Sequence, residues 1–212
     1  MKNNYTPTYS GNDVKILSRK TVYQGFFCID KYQLQFKLFN GEWSQVIERE
    51  IFERGKSVAV LLVDPELDQV VLIEQFRPGA IEAIKEQKSP WLLEIVAGII
   101  DREEKAEDVA YRETKEETGL TILELIPIAE YWVSPGGTSE KLSLFCGRVN
   151  SKNAHGIFGL SEEAEDIKVI CLSVAEAITL LDEKRIQNVN TLVALQWLKI
   201  NRNMLKKEKL SI

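Results

Sequence analysis

Along this chain the spacing of apolar and polar residues changes period several times, and each change marks an element. Between residues 14 and 52 the period is two. Tyr32, Leu34, Phe36 and Leu38 alternate with Lys31, Gln33, Gln35 and Lys37, the pattern of a half-buried strand. Asn40-Gly41 follows, a pair suited to a tight hairpin turn, and Trp43, Val46 and Ile51 lie on the return segment. A small antiparallel sheet is expected here; a sheet so small needs support from its own domain or from a second subunit. Residues 57–64 and 70–77 read as two more strands around the turn Pro65-Glu66-Leu67-Asp68. Residues 78–90 read as a polar loop and 91–97 as one strand. Between Gly98 and Gly119 no Pro or Gly interrupts the chain, and Ala106, Val109 and Ala110 share a face, so a helix is expected with glycine at its end. Residues 121–134 and 141–149 read as strands around a Pro-Gly-Gly turn, 150–166 as a long acidic loop, 167–174 as a last strand and 175–182 as a short helix. The closing helix, from Val189 to about Lys207, carries Val193, Trp197, Ile200 and Met204 at helical spacing, a stripe for the core or for a partner copy. Residues 1–12 read as a loose polar tail. The expected division is a β domain over 1–54 and a larger α/β domain over 55–212.

Composition narrows the function. At 212 residues, with 44% hydrophobic and 28% charged residues, one sizeable core and a small appendage fit. The net charge of −5 and the lack of a Lys/Arg stripe speak against nucleic acid. The first thirteen residues hold no apolar stretch, so no signal peptide is expected, and the run from Val58 to Val63 is too short to cross a bilayer. Cys28, Cys146 and Cys171 are scattered and odd in number, which reads as buried thiols in a reducing, cytoplasmic setting.

The candidate chemistry sits on the central helix. Glu113 and Glu117 are one turn apart, with Glu116 beside them, so carboxylates crowd one stretch of surface. Like charges at that spacing cost an isolated helix roughly 0.2–0.5 kcal/mol per pair, and a divalent cation would turn that cost into a site. His155 is the only histidine and reads as a solvated loop residue, so multi-histidine zinc sites and Ser-His-Asp arrangements lack their parts. Oxygen ligands remain, which suit Mg²⁺, with Mn²⁺ as a substitute. Such a metal held by Glu113, Glu117 and a backbone carbonyl would grip a pyrophosphate and acidify a water. A carboxylate of the acidic loop would take the proton of that water. Arg112 lies four residues before Glu116 and is expected to engage it, while Glu104 is placed to support the loop.

These residues also fit a known signature. Gly98, Glu104, Arg112, Glu113, Glu116, Glu117, Gly119 and Leu120 match eight of the nine specified positions of the Nudix box, and Thr114 stands where an aliphatic residue is usual. Beyond the box, GFFCIDKY, LFNGEWSQVIEREIFERG, VVLIEQFRPGA, WLLEIVAGII, SPGGTSE, EDIKV and VALQWL make the chain resemble the ADP-ribose pyrophosphatase branch of the Nudix superfamily. So does Pro135, sixteen residues after Gly119. The resemblance implies an α/β/α sandwich around a mixed sheet, with the N-terminal β domain exchanged across a homodimer. It implies hydrolysis of ADP-ribose to AMP and ribose 5-phosphate, by in-line attack of water without a covalent enzyme intermediate. Under it, the Ala97 carbonyl with Glu113, Glu117 and Glu165 would bind Mg²⁺, and Glu163 would be the general base, with Glu165 as its rival. Phe26, Phe27, Arg49 and Glu50 would hold the adenine. Arg54, Arg77, the backbone at Ile99, the turn Ser134-Pro135-Gly136, and Glu140 would meet phosphates and ribose. The alternatives are a pyrophosphatase for another nucleotide sugar, GDP-mannose or ADP-glucose, and a non-catalytic Nudix sensor that binds ADP-ribose.

Overall fold

The computed structural model describes residues 5–101, 103–160, 162 and 164–207. It divides into two compact units, Met1–Gly55 with Trp132–Glu140, and Lys56–Tyr131 with Lys141–Ile212.

The first unit is built on a three-stranded antiparallel sheet, β1 (Val14–Gln24), β2 (Cys28–Phe36) and β3 (Ile47–Glu53), in that order. Its face is more polar than the alternation implies. Asp30 is buried in line with Tyr32 and Leu34, and accepts hydrogen bonds from Arg19 Nε at 2.5 Å and Thr21 Oγ1 at 2.7 Å. Every residue of β1 is exposed. The segment 132–140 joins this unit through Phe52, whose N–H donates to the Gly137 carbonyl at 2.9 Å.

The second unit carries a mixed sheet ordered β10-β11-β5-β4-β9-β8, with β6 paired to β5 and β7 to β4. Its strands are β4 (Lys56–Asp64), β5 (Gln69–Phe76), β6 (Trp91–Glu94), β7 (Val96–Ile100), β8 (Glu124–Trp132), β9 (Lys141–Arg148), β10 (Gly156–Phe158) and β11 (Ile167–Ser173). Strand β4 runs parallel to β9 and is buried on both faces. Val58, Val60 and Leu62 join Val109 and Ala110 of helix α1 (Ala106–Thr118) in one core cluster. Ala59, Leu61 and Val63 are equally buried, and helix α3 (Val189–Lys207) packs on β4 and β9 while α2 (Val174–Asp182) lies on β5 and β11. Each fully buried Leu, Ile or Val contributes about 1.5–3 kcal/mol.

Several expectations from the sequence are corrected. Residues 78–86 form a 3₁₀ helix, not loop: Pro78 suits a helix start, and Gln87 closes it in the left-handed region. The single strand expected over 91–97 is two, because the chain leaves β5 after Glu94 and joins β4 at Val96. The Ile95 amide, freed by that switch, donates to Thr191 Oγ1 at 2.9 Å. The long acidic loop contains β10, whose three residues are too few to display a period. In α3 the core face is Thr191, Ala194, Leu195, Leu198 and Leu205; the stripe of Val193, Trp197, Ile200 and Met204 lies beside it, with Val193 and Trp197 half-buried and Ile200 80% exposed, so it is not the core stripe of this chain. Of the cysteines only Cys146 is buried, and Cys28 and Cys171 are half-buried.

Candidate active site

Helix α1 is the platform. Its start has no side-chain cap, but Glu107 and Asp108 in the first turn suit the positive end of the helix dipole. Gly119 ends it at φ +70°. Val109, Ala110, Thr114, Glu117 and Thr118 face inward. Thr114 therefore does pack as the usual aliphatic residue would, at 0% exposure, but its Oγ1 has no partner among the described residues.

Strand β7 brings the box glycine against this helix. A Cβ on Gly98 would fall inside the Glu113 side chain, so the glycine lets that carboxylate lie against the strand and any larger residue would displace it. The connecting loop is closed by Glu104, whose carboxylate accepts the Asp101 amide at 3.1 Å. Glu117 is 2% exposed and accepts the Ala97 N–H at 3.3 Å. Arg112 donates to Glu113 at 2.9 Å and to Glu116 at 3.1 Å, and lies 3.7 Å from Glu104. It thus braces three box glutamates rather than Glu116 alone.

Electrostatics sets Glu113 and Glu117 apart. Burial pushes the Glu113 carboxyl up to about 7; Glu116 and Glu165 add to the rise, and Arg112 opposes it. Burial raises Glu117 well above the carboxylate range, with Glu113 and Glu165 reinforcing, while the Ala97 amide and Arg77 pull downward. Half-buried Glu113 and buried Glu117 thus carry negative charge only at a cost that an added cation would relieve. Among the described residues no three acidic, histidine or cysteine side chains already form a metal-holding group. The pair Glu113–Glu117, with Glu165 close enough to act on both, is nevertheless an all-oxygen donor set suited to a hard divalent cation.

The remaining candidates fall in two places. In the second unit, Arg77 follows β5 and its Nε meets Glu94 Oε2 at 2.6 Å, while Ile99 is exposed on β7. Glu165 folds back on its own loop, its Oε2 accepting the Leu160 N–H at 3.3 Å. Glu163 lies outside the described residues. His155 is exposed. In the first unit, Phe26 is 91% exposed and meets Phe27 edge-on at 4.8 Å, and Phe27 meets Phe52 at 4.9 Å. The Arg54 guanidinium lies 4.9 Å from the Phe27 ring centre and 3.8 Å from Glu140. Arg49 and Glu50 are exposed on β3, and Ser134, Pro135 and Gly136 form an exposed turn. Sequence reasoning missed Phe52 and Glu94. The signal for Glu94 was available: it is the one acid inside the apolar run WLLEIVA.

A mixed sheet feeding a glycine into a glutamate-bearing helix defines the class, and the chain belongs to the Nudix family: a NUDIX domain model matches residues 53–196. The chain is 45% identical over 205 residues to an ADP-ribose pyrophosphatase of Escherichia coli K12, covering 97% of both chains. It is 30% identical over 183 residues to a GDP-mannose pyrophosphatase of Pectobacterium atrosepticum, covering 86% of this chain and 92% of that one. A crystal structure of an ADP compounds hydrolase shares the fold at TM-score 0.63 and 24% identity, over 92% of this chain and 98% of that one.

Proposed function

We propose that this protein is a divalent-metal-dependent ADP-ribose pyrophosphatase that converts ADP-ribose and water to AMP and ribose 5-phosphate. The observation that carries the reading is the pair of half-buried Glu113 and buried Glu117, whose negative charge is disfavoured until a cation joins it. The likeness to an ADP-ribose pyrophosphatase over nearly the whole chain supports the substrate. Glu113, Glu117, Glu165 and the Ala97 carbonyl would hold the metal, Mg²⁺ in our reading, with Mn²⁺ as a substitute. When bound, it offsets pyrophosphate charge and makes a water more acidic. Arg112 keeps Glu113 and Glu116 in place through its ion pairs. Arg77 offers a forked donor to phosphate. Glu163 accepts the proton of the attacking water, one P–O bond of the bridge breaks, and the freed phosphate oxygen leaves on the other half.

Phe26, Phe27, Arg49 and Glu50 form the adenine-binding set, and Arg54, Ser134, Pro135, Gly136, Glu140 and the Ile99 backbone contact phosphates and ribose. The protein works as a homodimer that exchanges its N-terminal sheet, in the cytoplasm; the exposed apolar side chains of that sheet and three free cysteines support this. The test is product analysis on ADP-ribose in ¹⁸O-labelled water with Mg²⁺, with a chelator control. AMP and ribose 5-phosphate, one of them labelled, are expected, and cleavage unaffected by the chelator would sink the reading. The GDP-mannose relative makes a second substrate worth ranking. GDP-mannose should show a much lower kcat/KM than ADP-ribose at fixed Mg²⁺.

A further inference from the structure

Glu94 is a buried acid that the reading above leaves unused. It ends β6 opposite Ile73 and is 8% exposed, in a run otherwise apolar. Its carboxylate accepts Arg77 Nε at 2.6 Å. Arg77 is fixed at its backbone too, its N–H donating to the Pro90 carbonyl at 3.0 Å and its own carbonyl accepting from Ala80 at 2.8 Å. Its charge acts on Glu117, in the direction that favours the ionised carboxylate. Burying an ion pair seldom adds stability over an apolar pair of the same size, so stability alone does not account for an acid here. The geometry does account for it. A guanidinium held through Nε keeps both terminal nitrogens for a second, forked acceptor, and loses little freedom when it binds one.

We propose that Glu94 is a positioning residue: it holds Arg77 by Nε so that the terminal nitrogens meet the pyrophosphate of the substrate. The inference rests on the reading of Arg77 as a phosphate contact. Without the Glu94 carboxylate the guanidinium samples other rotamers, and phosphate-bearing ligands lose affinity while the adenosine part does not.

The experiment compares wild type, Glu94→Gln, Glu94→Asp, Arg77→Ala and the double variant Glu94→Gln/Arg77→Ala, with folding followed by circular dichroism. KM and kcat for ADP-ribose are measured, with inhibition constants for AMP and adenosine. Glu94→Gln should raise KM and the AMP constant by about tenfold, leave kcat within about threefold and leave adenosine unchanged. Glu94→Asp, which keeps the charge, should recover part of the loss. The double variant should be no worse than Arg77→Ala, because both changes remove one interaction. A raised KM in Arg77→Ala with a normal one in Glu94→Gln overturns the role of Glu94 and leaves the phosphate contact standing. Additive losses, or equal losses for AMP and adenosine, also overturn it. A normal KM in Arg77→Ala overturns the phosphate contact itself, and the role of Glu94 with it. Should Glu94→Gln fail to fold, Glu94→Asp and the AMP-to-adenosine ratio decide alone: an unchanged ratio ends the proposal.

Discussion

Single side chains in this protein are placed against their own stability where function requires it, and the contrast between Thr114 and Glu113 separates the two cases. The Thr114 hydroxyl is fully buried without a partner among the described residues, which costs about 1–3 kcal/mol. Valine has the same shape and no hydroxyl. Thr114→Val should add about 1 kcal/mol, raising Tm by roughly 2–4 °C in a scanning melt, with kcat unchanged. A fall in Tm would mean that the hydroxyl does find a partner. Glu113 differs. Its carboxyl holds its proton more tightly in the folded chain than in the unfolded one, about 7 against an ordinary 4.5. The stability from that proton is fully present below about pH 4.5 and is lost as pH rises through about 7. The difference corresponds to roughly 3 kcal/mol. In chelator, Glu113→Gln should therefore be more stable than wild type at pH 8 and close to it at pH 4.5, while its turnover with metal falls by orders of magnitude. No gain at pH 8 would show that the carboxylate is already neutralised within the protein.

At the scale of elements, α1 and its neighbours show how a glycine fixes more than a helix end. Gly119 sits at φ +70°, and a Cβ there would come within 2.7 Å of the Phe158 ring. Phe158 belongs to β10 and packs on the core, and β10 leads into the acidic loop. Gly119→Ala should cost about 2 kcal/mol, from the left-handed backbone and the displaced ring together. Under the proposed metal-binding role of Glu165, which follows Phe158 in the chain, it should also lower kcat. Gly119→Ala/Phe158→Leu should regain part of the stability; no recovery would place the whole cost in the backbone. The helix itself, with Gly98, Arg112 and the glutamates, was legible from spacing alone, because glycine and carboxylates at fixed intervals report local geometry. The β6–β7 break was not. It arises from a change of partner strand at Ile95, stabilised by Thr191 ninety-six residues away, and no local period encodes that. The core face of α3 was not legible either, since Val193 and Trp197 alternate with equally apolar Ala194, Leu195 and Leu198.

At the scale of the molecule, the first unit is the part on which the proposed dimer rests. Three strands with a polar network around Asp30 bury little apolar surface, and sheets of that size are marginal alone. Ile16, Leu17, Val22, Tyr23 and Phe26 remain exposed on or beside β1. A strand exposed along its whole length, with apolar residues among its charges, is where a second copy would bury surface. Light scattering on the eluting protein should therefore give a mass near twice 24.2 kDa. Ile16→Arg/Val22→Arg should shift it toward 24.2 kDa and, under the proposed adenine-binding role of Phe26, Phe27, Arg49 and Glu50, raise KM for ADP-ribose. The fold of the second unit should survive this change, since its core draws on β4, β5, α1 and α3 and on nothing from β1. A wild-type mass of 24.2 kDa at micromolar concentration, with full activity, would remove the dimer from the mechanism and require one chain to bind both ends of its substrate.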